Sequence, residues 1–325
     1  MSALSHAALY GTVIITVLLS ATALLIWFER KFSAKMQSRI GPTYVGPVGL
    51  LQPVADVVKL FQKEDIIPDD ADPVLFTLAP PLTVICALGA AAVVPFSPTM
   101  LAADLDVGVV YLLAIGGLTV LPVFAAGWAS NNKFALLGGI RAVAQSVSYE
   151  VPLVLAAMVP CVLAGSVKVS DIVGWQVAHH WTALWPILPG LPAFAIYFMA
   201  TLAESNRIPF DIPEAESELV AGVTTEYTGM KFALFYVGEY VHTLVASAVG
   251  AALFLGGWDG PFAPGLLWMV AKTLSLFALV YWVRWSLLRF RSDQLMRLCW
   301  LYLTPLSLAL VLVAAVWVQL SGGTP

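Results

Sequence analysis

Apolar residues gather into eight stretches along the chain, near Leu9–Phe28, Val74–Val94, Val109–Trp128, Val147–Leu163, Trp185–Ala203, Phe232–Leu255, Leu266–Leu288 and Leu298–Leu320. A bilayer core of about 30 Å needs about 20 helical residues, so each stretch predicts a membrane-spanning helix. The fifth is the least regular. Pro186, Pro189 and Pro192 leave a regular helix only from about Leu191. One shorter segment, 50–63, has a different pattern. Leu50, Leu51, Val54, Val57, Val58 and Phe61 recur at helical spacing, opposite Gln52, Asp56, Lys59 and Lys63, with Pro53 tolerated in the first turn. That predicts an amphipathic helix lying on the membrane surface, either as a plain anchor or as one wall of a site. The fold class is therefore an all-α integral membrane protein, with residues 1–325 forming a single transmembrane domain without internal repeats.

Composition narrows this further. The 325 residues are 60% hydrophobic and 11% charged, with a mean hydropathy of +0.87, which leaves no soluble domain. The first stretch has no basic segment before it and no small-residue cleavage site after it, so it reads as a retained helix and not a signal peptide. Net charge is −4 and no basic run offers a nucleic-acid surface. Fourteen of the sixteen Lys and Arg fall in the connections 29–73, 129–146, 204–231 and 284–297. Lys168 lies on the other face and Lys272 inside the seventh stretch. The positive-inside rule then puts those four connections in the cytoplasm and both termini on the opposite side. Cys86, Cys161 and Cys299 are isolated, the four histidines form no haem pair, and no P-loop or Gly-rich fingerprint is present. No metal site is expected in this chain, and any redox cofactor belongs to a partner.

Candidate chemistry concentrates in residues 204–231. Six of the chain's twenty acids lie there, Glu204, Asp211, Glu214, Glu216, Glu218 and Glu226, against only Arg207 and Lys231. Asp211 and Pro213 suit a helix start, and a wet exposed loop would carry the remaining acids at no cost. Crowded beside a membrane, the same acids would instead have raised pKa values and take up protons near neutral pH. Glu150, Glu239 and Lys272 lie inside apolar stretches, where a charge costs at least about 2.5 kcal/mol. Glu239 paired with Lys272 would be a structural explanation. A hydrated path joining the loop acids to Glu239 and Glu150 would be a functional one. Phe232, Phe235 and Tyr236 form an aromatic stripe, suited to helix packing or to walling a flat apolar ligand.

Three blocks are specific enough to carry a resemblance. The first runs Glu29-Arg30-Lys31 through Gln37, Arg39 and Gly41-Pro42 to Gly49-Leu50-Leu51-Gln52-Pro53, Ala55-Asp56 and Lys63-Glu64. The second runs from Gly127-Trp128-Ala129-Ser130-Asn131-Asn132-Lys133 to Ser148-Tyr149-Glu150. The third runs from Leu202-Ala203-Glu204-Ser205-Asn206-Arg207 through Pro209-Phe210-Asp211 and Glu214-Ala215-Glu216-Ser217-Glu218-Leu219-Val220 to Glu226-Tyr227 and Glu239-Tyr240. In these blocks, and over nearly its whole length, the chain resembles the H-type membrane subunits of respiratory complex I, the proton-translocating NADH:quinone oxidoreductase.

The resemblance implies a subunit of a multi-subunit translocase, with no catalytic residue complete in this chain alone. Quinone is the substrate, and FMN and iron–sulfur clusters sit on partner subunits. It implies a quinone-binding set of Arg30, Gln37, Arg39, Gln52 and Asp56, with Phe232 and Tyr236 across from them. The proton-coupling set is Glu150, Glu204, Asp211, Glu214, Glu216, Glu218, Glu226 and Glu239. Expected partners are the quinone-site and iron–sulfur subunits, the pump subunits of the membrane arm, and lipid, in the cytoplasmic membrane of a bacterium. The rival expectations are a homologous subunit of a membrane-bound hydrogenase, formate hydrogenlyase or coenzyme F420 dehydrogenase, or a stand-alone proton-coupled transporter.

Overall fold

The computed structural model describes residues 3–183, 187–261 and 265–321, excepting the side chains of 3–8, 187, 188, 216 and 217. Every regular element among them is helical: α1 (Ala3–Met36), α2 (Gln52–Gln62), α3 (Pro73–Ala91), α4 (Gly108–Leu118), α5 (Val120–Ala129), α6 (Lys133–Ala164) and α7 (Val169–His179), then α8 (Ile187–Glu204), α9 (Glu216–Leu219), α10 (Gly229–Phe254), α11 (Leu266–Ser286), α12 (Ser292–Arg297) and α13 (Thr304–Leu320). A π turn over Leu298–Leu303 joins the last two. Among the described residues, seven spans are long and apolar enough to cross a membrane: α1, α3, α4 with α5, α6, α10, α11, and α12 through α13.

The sequence predicted eight. The fifth stretch forms α8, which is 18 residues long and begins in side chains outside the description, so it is not among the seven. It starts at Ile187, not Leu191, and holds only Pro192 in its interior. Pro189 sits in the first turn, where a missing N–H has no helical partner to lose. A second difference matters more. The polar connection expected over 129–146 is mostly helix, because α6 starts at Lys133, with the Asn132 side chain accepting from the Phe134 N–H as its cap. Glu150 therefore lies mid-helix, flanked by Ser146 one turn earlier. The third span is also broken, at Thr119. Pro122 has no N–H for the Leu118 carbonyl, and the Thr119 hydroxyl bonds back to Gly116 O at 2.7 Å.

The helices form two packed groups. α6 is flanked by α5, α8 and α13, and α10 by α1, α3 and α11, with α3–α5 and α8–α10 contacts joining the groups. Small residues such as Ala246, Ser247, Ala248, Gly250, Ala251 and Ala252 let neighbours approach α10 closely, the usual source of cohesion where lipid is as apolar as a side chain. The acidic connection is not a wet loop. Phe210, Ile212, Ala215, Leu219, Val223 and Tyr227 are buried, Tyr227 stacks on Phe76 of α3 at 4.1 Å between centroids, and Phe290 N donates to Pro209 O at 2.8 Å. The segment is thus pinned between α3, α6 and the α11–α12 turn.

Gly222 is the tightest point of that seat. Its φ is +53° and a Cβ there would lie 1.9 Å from Pro213 O. Gly222→Ala should therefore cost about 1–3 kcal/mol, read as a lower melting temperature and faster proteolysis within 204–231.

Candidate functional site

The site is a column of buried polar groups where the acidic connection meets α10. Arg207, only 3% exposed, lies with Nη2 3.3 Å from Glu239 Oε2. Its guanidinium also stacks 4.8 Å from the Tyr240 ring centroid and 5.8 Å from Tyr281. A neighbouring pair closes one side: Glu29, at the end of α1, accepts from Arg284 of α11 and from the Tyr240 hydroxyl. Lys272, by contrast, does not meet Glu239. Its ammonium donates to the carbonyls of Leu255, Gly257 and Asp259 at 2.5, 3.0 and 2.6 Å and sits 4.0 Å from the Trp181 ring. The buried Glu239–Lys272 pair is thus overturned. Lys272 instead ties down the turn that follows α10, while the last carbonyls of the helix itself accept from Gln176 and from the Ala183 N–H.

A cavity of about 70 Å³ opens against this column, lined among others by Glu204, Glu214, Glu239, His242, Tyr149 and Thr83. It has room for about two waters. Glu204, Glu214 and Glu239, expected as proton-coupling residues, are brought together here. Glu150 adjoins them. A Cβ on Gly116 would lie 2.5 Å from Glu204 Oε1 and one on Gly117 3.3 Å from Glu150 Oε1, so two glycines at the break between α4 and α5 admit both carboxyls. The Ser146 hydroxyl donates to Glu150.

The other coupling candidates separate from this group. Asp211 is near by, with Oδ1 buried and making no hydrogen bond. Glu218 lies outside, bridging Arg141 and Arg289 at 2.5 Å each, so it ties the connection to α6 and to the α11–α12 turn. Glu226 accepts from the Asn132 amide at 2.6 Å. The Glu216 side chain lies outside the described residues. Electrostatics follows placement. Burial, reinforced by Glu239 and Asp211, pushes the Glu214 carboxyl well above the ordinary carboxylate range, and burial raises Asp211 against the pull of Arg284 and Arg289. The hydrogen bond from Arg141 holds Glu218 below that range. Glu214 is poised to hold a proton and Glu218 to stay ionised.

The quinone-binding candidates also divide. Arg30 pairs with Asp56 at 2.5 Å and Gln52 donates to the same carboxylate at 3.1 Å, linking α1 to α2. Arg39 donates to Gln37 at 2.7 Å in the exposed turn that follows α1. Phe232 and Tyr236 lie 4.8 Å apart on α10, both half-buried, and α10 packs on α1 and α2. Glu29, Arg284, Tyr240, Tyr281 and His242 join the polar column without having been singled out as site residues. A charged residue at an apolar stretch's end was the one available signal for Glu29 and Arg284, and 255 positions separate them. Among the described residues, no group of three or more His, Cys, Asp or Glu is arranged to hold a metal ion.

Comparison with known proteins follows the same lines. The NADH dehydrogenase family profile matches residues 9–315. A protein of Dehalococcoides mccartyi strain CBDB1, named as the H subunit of an NADH-quinone oxidoreductase, is 45% identical over 94% of this chain and 84% of its own length. Proteins of the same name from Burkholderia vietnamiensis and Brevibacillus brevis are 45% and 46% identical, over 94% and 96% of this chain and 90% and 93% of their own. With the profile covering nearly all of it and such relatives matched almost end to end, the chain belongs to the NADH dehydrogenase family.

Proposed function

We propose that this chain is the H-type membrane subunit of a proton-translocating NADH:quinone oxidoreductase. It forms the membrane part of the quinone chamber and couples quinone reduction to proton movement. The observation that carries the reading is the polar cavity in which Glu204, Glu214 and Glu239 face one another beside buried Arg207. The names of the relatives support a quinone oxidoreductase over the hydrogenase and stand-alone transporter alternatives. In this reading FMN and iron–sulfur clusters lie on partner subunits at the basic, cytoplasmic face. The pump subunits of the membrane arm adjoin the chain. Both termini face the periplasm of a bacterial inner membrane.

The physical sequence runs from charge to proton. Quinone reaches the chamber from the bilayer past α2, between the Arg30–Asp56–Gln52 group and the rings of Phe232 and Tyr236. Reduction takes up two electrons and two protons, and the transient negative charge raises the proton affinity of neighbouring carboxyls. Burial has already biased Glu214 toward holding its proton, so the response falls to Glu239 beside it. Glu214 and Glu239 share the cavity and titrate as a pair, so a proton taken up at one lowers the affinity of the other. From Glu239 the proton passes to Glu204 and Glu150 across the α4–α5 break. Glu218, Arg141 and Arg289 hold the connection in place during this transfer.

Glu239→Gln in the intact complex should abolish proton pumping in proteoliposomes while leaving the complex assembled on native gels; pumping at the wild-type rate would refute the role. Phe232→Ala should raise the quinone KM and weaken quinone-site inhibitors by about tenfold, as about 1–1.5 kcal/mol of aromatic contact predicts. For pH, the folded Glu214 carboxyl binds its proton more tightly than the unfolded one. Its contribution is full below the unfolded pKa and is lost as pH rises through the raised folded value. Thermal stability of the wild type should therefore fall over that rise, and Glu214→Gln, fixed in the neutral form, should flatten the fall.

A further inference from the structure

Two cavities meet at one pair of side chains. His242 of α10 and Glu204 at the end of α8 line the polar cavity of about 70 Å³. Both also line a second cavity of about 40 Å³, otherwise walled by groups such as Leu112, Leu153, Val245 and Val249. The second cavity extends toward the opposite face, where α3 and α10 end and α4 begins. His242 Nε2 lies 3.5 Å from Glu204 Oε1, and neither ring nitrogen makes a hydrogen bond although the side chain is only 12% exposed. Leaving both nitrogens unpaired is costly, so a small approach of the carboxyl is favoured. Glu204 cannot retreat far, because Gly116 of the broken third span backs it closely.

The titratable groups that share a cavity with His242 are Glu204 and Tyr197 from α8, Tyr149 from α6, Glu239 from α10 itself and Glu214 from the acidic connection, while α3 supplies only Thr83 and apolar side chains. Among the described residues lining either cavity, His242 is the one able to carry positive charge. Imidazole is also the side chain whose ordinary titration falls near neutral pH.

We propose that His242 is a proton-carrying residue of this chain, exchanging one proton with Glu204 at the junction of the two cavities. The O–H bond of the Glu204 acid breaks as an N–H bond forms at Nε2, and no electrons change hands. The pair then holds one proton either as carboxylic acid and neutral imidazole or as carboxylate and imidazolium. Both forms are neutral overall, which lets a proton wait beside an apolar cavity without the cost of net buried charge. The inference rests on the coupling role proposed above and adds the residue that ends the acidic column.

The test is His242→Asn in the intact complex, reconstituted in proteoliposomes and normalised to assembled complex on native gels. Asparagine keeps a polar side chain in place but does not titrate. Pumping should fall about a hundredfold, the low end for a positioned proton donor. The limb of the pH profile near the imidazole range should vanish, and Glu204→Gln added to His242→Asn should cause no further loss. A wild-type pumping rate and pH profile in His242→Asn, or strictly additive losses in the double variant, would overturn the proposal. His242→Gln, read by the same criteria, replaces the Asn variant if that fails to assemble. Glu239→Gln measured in parallel keeps the readings apart: if it abolishes pumping while His242→Asn pumps normally, only the histidine assignment falls. If Glu239→Gln pumps normally, the coupling reading falls.

Discussion

A charge buried away from water costs several kcal/mol unless it is paired, and that cost organises this protein. Arg207 is the extreme case. It is buried against Glu239 and beside the rings of Tyr240 and Tyr281, with Glu29 and Arg284 forming a second pair alongside. Separate parts of the chain supply these groups: α1, the acidic connection, α10 and α11. None of them alone would hold a buried charge. Bringing them together fixes the spacing of the helices as firmly as apolar packing does, and leaves beside them a small cavity in which carboxyls face each other.

That arrangement gives the acidic connection two tasks, assigned by where each carboxyl sits. On its outer side Glu218 is gripped by Arg141 and Arg289, and Glu226 by Asn132. These contacts hold the segment to the helices around it. On its inner side Glu214 and Asp211 are pressed into low dielectric with too few cations to keep both comfortably ionised. The same run of sequence is a clamp on one face and presents buried carboxyls, biased toward their protonated form, on the other. Lys272 shows the same economy just beyond the far end of α10, where one ammonium gathers three carbonyls of the turn that follows the helix.

Irregular backbone is placed where the carboxyls need room. The third span breaks at Thr119, and Gly116 and Gly117 at that break lie directly against Glu204 and Glu150. A Cβ at Gly116 would displace the Glu204 carboxyl, and one at Gly117 would press on that of Glu150. The two small cavities meet at Glu204 and His242 near that same break.

The run of apolar stretches with few charges was enough to determine an all-helical membrane protein, since hydrocarbon length and backbone hydrogen bonding leave no other solution. The amphipathic period of 50–63 likewise set α2, and the crowding of acids in 204–231 marked the segment that matters. Less local facts were out of reach. Nothing in the spacing of Glu29 and Arg284, or of Glu204 and His242, shows that they meet, because their contacts join helices far apart in the chain. The Glu239–Lys272 pairing failed for the same reason: two ionisable residues in neighbouring spans face whichever way the packing of α10 and α11 turns them. Which of six adjacent acids looks inward was settled only when Phe210, Ile212, Leu219 and Tyr227 docked, since burial of those apolar side chains fixes the direction of every carboxyl between them.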